Sequence, residues 1–221
     1  MRNAVRLAAE LLITAGVLIA LLVTHMMWGT GDYTRRAQAG LHDELDELWR
    51  KQTTVSADVT PGKARVVPQT VAAQRGKAFA VIRIPRFGSG WRYAAVEGVT
   101  NADLAKGPGH YPGTALPGQV GNTVFSGHRT TYGGPFNRLD ELVSGDQILI
   151  DTATATYVYR MTASKVVLPS DVSVTAPVPG KPGARPTKAR LTLTTCHPKF
   201  SAAYRLIIFA ELVRGEPRAA T

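Results

Sequence analysis

The sequence predicts a mainly-β domain carried on an N-terminal membrane helix. Three observations predict it: one unbroken apolar stretch close to the N-terminus, a series of short β-prone runs between residues 77 and 214, and frequent Gly and Pro between those runs (21 Gly and 14 Pro in 221 residues). Many short strands separated by turn residues fold as a β-barrel or a β-sandwich. A hydrophobic content of 44% is enough to fill the core and excludes wholesale disorder.

The apolar stretch runs from Leu11 to Trp28, 18 residues without Asp, Glu, Lys or Arg. At about 1.5 Å per residue it matches a hydrocarbon core of ~30 Å. Trp28 suits an interfacial aromatic, and His25 lies near the edge, where a polar tip reaches head groups. A cleaved signal peptide would have a small-residue site soon after the apolar region. Ala37-Gln38-Ala39 has that pattern but lies well beyond it, after Arg35-Arg36, so an uncleaved anchor is expected. The short N-terminal side, with Arg2 and Arg6, favours the N-terminus inside and the bulk of the chain outside.

Beyond the anchor, Gly40 to Gln52 carries Leu41, Leu45, Leu48 and Trp49 at helical spacing among acidic residues, which predicts a short amphipathic helix. It can pack on the domain that follows or lie at the membrane, where its acidic face would be repelled by anionic lipid. Thr53 to Gly76, with Pro61, Gly62 and Pro68, reads as a linker. Strands are predicted over Phe79–Ile84, Asn122–Ser126, Gln147–Asp151, Thr156–Leu168, Arg190–Thr195 and Tyr204–Val213, with helical pieces at Asn101–Lys106 and Arg138–Val143. Pro169 to Pro186 is a long Pro/Gly-rich connection, of the kind that shapes binding grooves. The chain thus divides into a cytoplasmic N-terminus (1–10), a transmembrane anchor (11–28), a helix and linker (29–76), an extracellular domain (77–214) and a tail (215–221).

A net charge of +10 favours acidic partners such as anionic lipid, an anionic cell wall or nucleic acid. Nucleic acid is disfavoured: there is no zinc-finger spacing and no aromatic RNA-binding signature. The modest basic cluster of Lys181, Arg185, Lys188 and Arg190 reads as solvated surface.

Cys196 is the only cysteine, so no disulfide can form within the chain. A lone thiol outside the cell is an oxidation liability, which leaves an inert buried cysteine or a functional one. A cysteine nucleophile needs a base or imidazolium, a stabiliser for the tetrahedral intermediate, and access. Cys196 ends the run RLTLTT, and if that strand forms a hairpin with the strand beginning at Tyr204, Arg205 comes close to it. An always-charged guanidinium could then hold an oxyanion or the substrate carbonyl. Among five histidines, His25 lies in the anchor, His42 in the amphipathic helix, and His197 on the neighbouring position, where an extended chain turns it away. His110 and His128 remain. His128 follows the strand NTVFS and precedes Gly133-Gly134, and this spacing favours it.

Thr192-Leu193-Thr194-Thr195-Cys196 resembles the TLxTC signature of sortases, Gly127-His128-Arg129 resembles their strand-end histidine motif, and Arg205, nine positions after the cysteine, matches the arginine of their last strand. The resemblance covers about Phe79 to Val213, and the anchor with TLTTCHP looks most like the class E sortases of high-GC Gram-positive bacteria. It implies a closed eight-stranded β-barrel with short helices, needing no cofactor. The implied activity is a cysteine transpeptidase that cleaves a C-terminal sorting signal between Thr and Gly and transfers the protein to a cell-wall or pilin amine. Cys196 would be the nucleophile, His128 the general acid and base, and Arg205 the oxyanion holder. Class E members are similar in preferring LAxTG to LPxTG. Tyr111 is the residue we associate with that choice, because its hydroxyl could bond the backbone N–H that Ala has and Pro lacks. Thr195 is a further substrate-site candidate, although its side chain should face away from that of Cys196.

Other functions predict other patterns. Papain-like and NlpC/P60-type hydrolases place the cysteine early, at a helix start, with the histidine later. An L,D-transpeptidase would show Ser-His-Gly-Cys, whereas Cys196 follows Thr195. A non-catalytic wall-binding β-domain would function without the thiol. No metal-ligand cluster is visible in the sequence.

Overall fold

The computed structural model describes residues 2–24, 29–56 and 73–218, with side chains described as far as Arg50 in the second of these segments. His25 and Trp28, most of the predicted linker including Pro61, Gly62 and Pro68, and the last three residues lie outside the described residues.

Helix α1, Arg2–Thr24, is exposed along its whole length. Its 23 residues span about 35 Å, long and apolar enough to cross a membrane. Helix α2 runs Thr30–Ser56, much longer than the predicted Gly40–Gln52, because the amphipathic stripe begins earlier. Gln38 and Thr34 sit one and two turns before Leu41, and both are buried, as are Leu41 and Leu45. Polar side chains at those two positions concealed the stripe from a reading based on apolar spacing. They bond to the barrel. Thr34 Oγ1 donates to Ala105 O (2.7 Å), while Gln38 Nε2 donates to Ala94 O and Lys106 O and Gln38 Oε1 accepts from Ala94 N. Ala37-Gln38-Ala39 is therefore mid-helix and docked.

Eight strands form a closed barrel in the order β1-β2-β3-β4-β7-β8-β6-β5. They are β1 (Ala78–Arg83), β2 (Arg92–Glu97), β3 (Gly109–His110), β4 (Gly121–Ser126), β5 (Gln147–Asp151), β6 (Ala155–Val167), β7 (Ala189–His197) and β8 (Tyr204–Pro217). The open choice between barrel and sandwich is settled by the pairing of β1 with β5, which closes the sheet. Two strands escaped the sequence reading. In β2, RYAAVE, small and polar residues blur the alternation. The other, β3, is only two residues long. Conversely β8 extends four residues past Val213 into the predicted tail, paired along its length with β6. The predicted helix at Asn101–Lys106 is α3, closed by a capping box in which Thr100 Oγ1 accepts from Asp103 N and Asp103 accepts from Thr100 N. The second predicted helix shrinks to a 3-10 turn, Leu139–Glu141.

Alternation divides the buried residues into layers. Ala80 and Ile82 of β1 point into the barrel with Phe125, Leu191, Leu193, Ile148, Ile150 and Ile208. Val81, between them, faces outward and packs with Ala94 and Val96 against Leu41, Leu45 and Trp49 of α2. The β6–β7 connection covers another part of the outer wall. Val174 packs on Val167 and Ile207. Asn122 Nδ2 donates to Val174 O and Ala176 O, and Asn122 Oδ1 accepts from Thr192. Of the basic cluster near this connection, Lys188 and Arg190 pair with Glu211, while Lys181 and Arg185 are exposed.

Candidate active site

The ends of β4, β7 and β8 meet at one end of the barrel. In the antiparallel β7–β8 pair Cys196 stands directly opposite Arg205. Residues opposite each other in such a pair put their side chains on one face, so the thiol and the guanidinium share that face. Both are partly exposed. Arg205 Nη1 donates to Ala202 O (2.9 Å) and Tyr204 O (3.0 Å), which holds one edge of the fork; a guanidinium carries further donors for a ligand.

β4 and β7 are parallel, with Ser126 beside Thr194. His128 and Cys196 each lie two residues further on, so the backbone carries them to the same height. Three bonds extend the pairing past the strand end. Gly127 N donates to Thr194 O, Thr195 Oγ1 donates to Gly127 O, and Arg129 Nη1 donates to Cys196 O (3.2 Å). The glycine is required by packing, since a Cβ there would sit 2.7 Å from the Phe136 ring.

His128 is half-buried, and burial lowers the pKa of its imidazole, disfavouring the cation. Thr131 Oγ1 lies 3.2 Å from Nδ1, and the Tyr132 ring packs 4.8 Å from the imidazole centre to centre. With Nδ1 engaged, Nε2 is the nitrogen left for chemistry.

His110, which the spacing left open, has no nitrogen to offer. It is 1% exposed, its Nδ1 is 2.6 Å from Glu97 Oε2, and its Nε2 is 3.1 Å from Ala115 O, between the rings of Phe79 and Phe125. This buried pair anchors β3 and the turn that carries Tyr111. Tyr111 is half-buried and fixed through its backbone: its N donates to Val124 O and its O accepts from Thr114 Oγ1. Thr195 is buried and faces away from Cys196, as alternation requires.

Arg129 follows His128 in the Gly-His-Arg motif, and the sequence alone assigns it no role. It is 3% exposed and binds three groups at once: Asn137 O through Nε (3.1 Å), Cys196 O through Nη1, and Asp140 through Nη2 (3.0 Å). An arginine flanked by a site histidine and followed by a Gly-rich turn was the available signal, but its reach to Cys196 depends on the β4–β7 pairing. Among the described residues no group of three or more His, Cys, Asp or Glu side chains is placed to hold a metal ion.

The sortase domain family matches residues 82–213, the stretch that contains this site. The chain belongs to the sortase family. It is 33% identical to Sortase SrtE1 of Streptomyces coelicolor over 221 residues, 96% of this chain and 58% of that protein, so it spans less than two thirds of that relative. Among solved sortases it is similar to SrtF of Corynebacterium diphtheriae (33% identity, TM-score 0.66, covering 73% of this chain and 94% of that one). It is also similar to Sortase E1 from Streptomyces coelicolor, determined with a tripeptide in the active site (37% identity, TM-score 0.60, covering 66% and 94%). The sortase barrel of this chain is thus class E-like, as its cysteine and histidine motifs indicate.

Proposed function

We propose that this sortase is a membrane-anchored cysteine transpeptidase that cleaves an LAxTG- or LPxTG-like sorting signal between Thr and Gly and passes the protein to a cell-wall or pilin amine. The observation that carries the reading is the pairing of Cys196 with Arg205, with His128 delivered to the same height by β4. The tripeptide in the related Sortase E1 supports a peptide substrate at this end of the barrel.

The neutral imidazole of His128 takes the thiol proton of Cys196 through Nε2, and the sulfur attacks the Thr carbonyl carbon. Arg205 donates to the oxyanion that forms. The C–N bond then breaks, His128 returns its proton to the departing Gly amine, and a thioester remains. An incoming amine attacks the thioester, His128 accepts its proton, and the thiolate leaves and is reprotonated. Tyr111, on the turn held by His110, selects Ala over Pro in the signal. Helix α1 spans the membrane with the N-terminus inside and the barrel outside.

The test is turnover of a fluorogenic LAxTG peptide by the full chain in detergent, with a glycine or diaminopimelate-like amine present. Amine-linked product that vanishes in Cys196→Ala supports transpeptidation. Cleavage without amine incorporation would move the assignment to a hydrolase. Inactivity of both proteins would leave the wall-binding reading standing.

A further inference from the structure

The first turn of α2 touches the loop that carries His128. Thr30 Oγ1 accepts from Tyr132 N (3.3 Å), and Gly31 and Thr34 lie against Gly133. Tyr132 has a left-handed backbone (φ 52°), a conformation that costs a non-glycine residue energy and persists only where surrounding structure enforces it. Gly133 and Gly134 continue the left-handed path at φ 70° and 51°, and a Cβ on Gly134 would be 2.8 Å from Arg129 O. The outcome of this path is that the Tyr132 ring lies over the His128 imidazole.

We propose that Tyr132, held by Thr30 of α2, is a positioning residue for His128, and that the helix following the membrane anchor is therefore a working part of the active site. This rests on the catalytic role proposed for His128. The chain of contacts is short: the start of α2 is fixed to α3 and β2 by Thr34 and Gln38, its first turn fixes the Tyr132 backbone, and the Tyr132 ring covers one face of the imidazole while Thr131 engages Nδ1. Five residues separate Thr30 from the end of α1. Burial alone lowers the His128 pKa. Titratable and charged groups on the elements packed around it include Cys196 and His197 of β7, Tyr204 and Arg205 of β8, Asp32, Tyr33 and Arg35 in the first turns of α2, and Arg129 and Tyr132 of its own loop.

The test uses the full chain in detergent micelles and follows two readouts: the NMR titration of the His128 ring, and kcat and KM for the peptide across pH. Tyr132→Gly removes the ring while suiting the left-handed backbone, so it should fold. It is expected to move the His128 titration up toward the ordinary histidine range and to cut kcat about tenfold with KM little changed, part of the ~10²–10⁴ that acid–base catalysis supplies. Tyr132→Phe should keep both properties. Thr30→Val should reproduce the loss in part, and Thr30→Ser should restore it. Leu45→Ala, which weakens α2 packing far from the loop, should lower the melting temperature and leave the titration in place. An unmoved His128 titration in both Tyr132→Gly and Thr30→Val overturns the proposal. Because that titration needs no turnover, a protein without peptide activity would overturn the catalytic reading while Tyr132's hold on His128 was still measured.

Discussion

Arg129 shows how one side chain can set a site without entering the chemistry. Its guanidinium ties the backbone oxygen of Cys196 to the loop of His128, fixing two strand ends that parallel pairing alone would leave to fray. Arg129→Leu should therefore lower stability by about 2 kcal/mol, since two half-buried carbonyls lose their donor, with the Asp140 pair discounted for its exposure. Chemical denaturation measures it, and a change under about 0.5 kcal/mol would contradict the role. Lys should not rescue, because the three partners are met by three separate guanidinium nitrogens, a spread that the single nitrogen of an ammonium lacks. At Tyr111 the expected outcome is a change in preference: Tyr111→Phe should narrow the rate ratio of LAxTG over LPxTG peptides, and an unchanged ratio removes Tyr111 from the selection. His128 predicts a pH effect with a definite sign. Its folded-state pKa is depressed, so the unfolded chain binds the proton first as pH falls. Stability present above about pH 6.5 is lost progressively below it. Denaturation at about pH 7.5 and about pH 5.5 should show a larger loss for the wild type than for His128→Asn.

Helix α2 illustrates the same dependence among elements. Its apolar stripe of Leu41, Leu45 and Trp49 was readable from spacing, and so was its preference for packing over lying on anionic lipid. Its true start was not, because Thr34 and Gln38 bury polar side chains whose partners are backbone groups of β2 and α3. Leu45 is 1% exposed. Leu45→Ala should cost about 2–5 kcal/mol, visible as a lower midpoint in thermal melting. The predicted strands β1, β4, β5, β6, β7 and β8 all form, with ends shifted by a residue or two except at β8. Those six carry alternating or continuous apolar runs. β2 and β3 form because neighbouring strands offer hydrogen-bond partners, which local sequence does not encode.

For the whole molecule, the decisive geometry is that an apolar helix and a barrel with a partly exposed thiol belong to one chain. With a single cysteine, topology can be read directly. A membrane-impermeant thiol reagent should label Cys196 in intact cells, and labelling only after permeabilisation would reverse the proposed orientation. Barrel closure explains why residues from three separate stretches converge. β4, β7 and β8 are adjacent although residues 127–188 intervene, and their common end gathers His128, Cys196 and Arg205.

The sequence by itself determined an apolar helix long enough to cross a membrane, the β character, the family and a candidate nucleophile, because these reside in composition, alternation and short motifs. It also carried the Cys196–Arg205 pairing as far as a hairpin allows, since hairpin partners are close in the chain. The sequence favoured His128 over His110, and only the tertiary structure showed that His110 is buried and engaged by Glu97 while His128 is partly exposed beside the end of β7, because burial and strand pairing are not written in local sequence. It alone assigned Arg129 to Cys196, and it brought the first turn of α2 against the loop that carries His128. Contacts between residues about 70 to 100 positions apart leave no period in the sequence; barrel closure and helix docking create them.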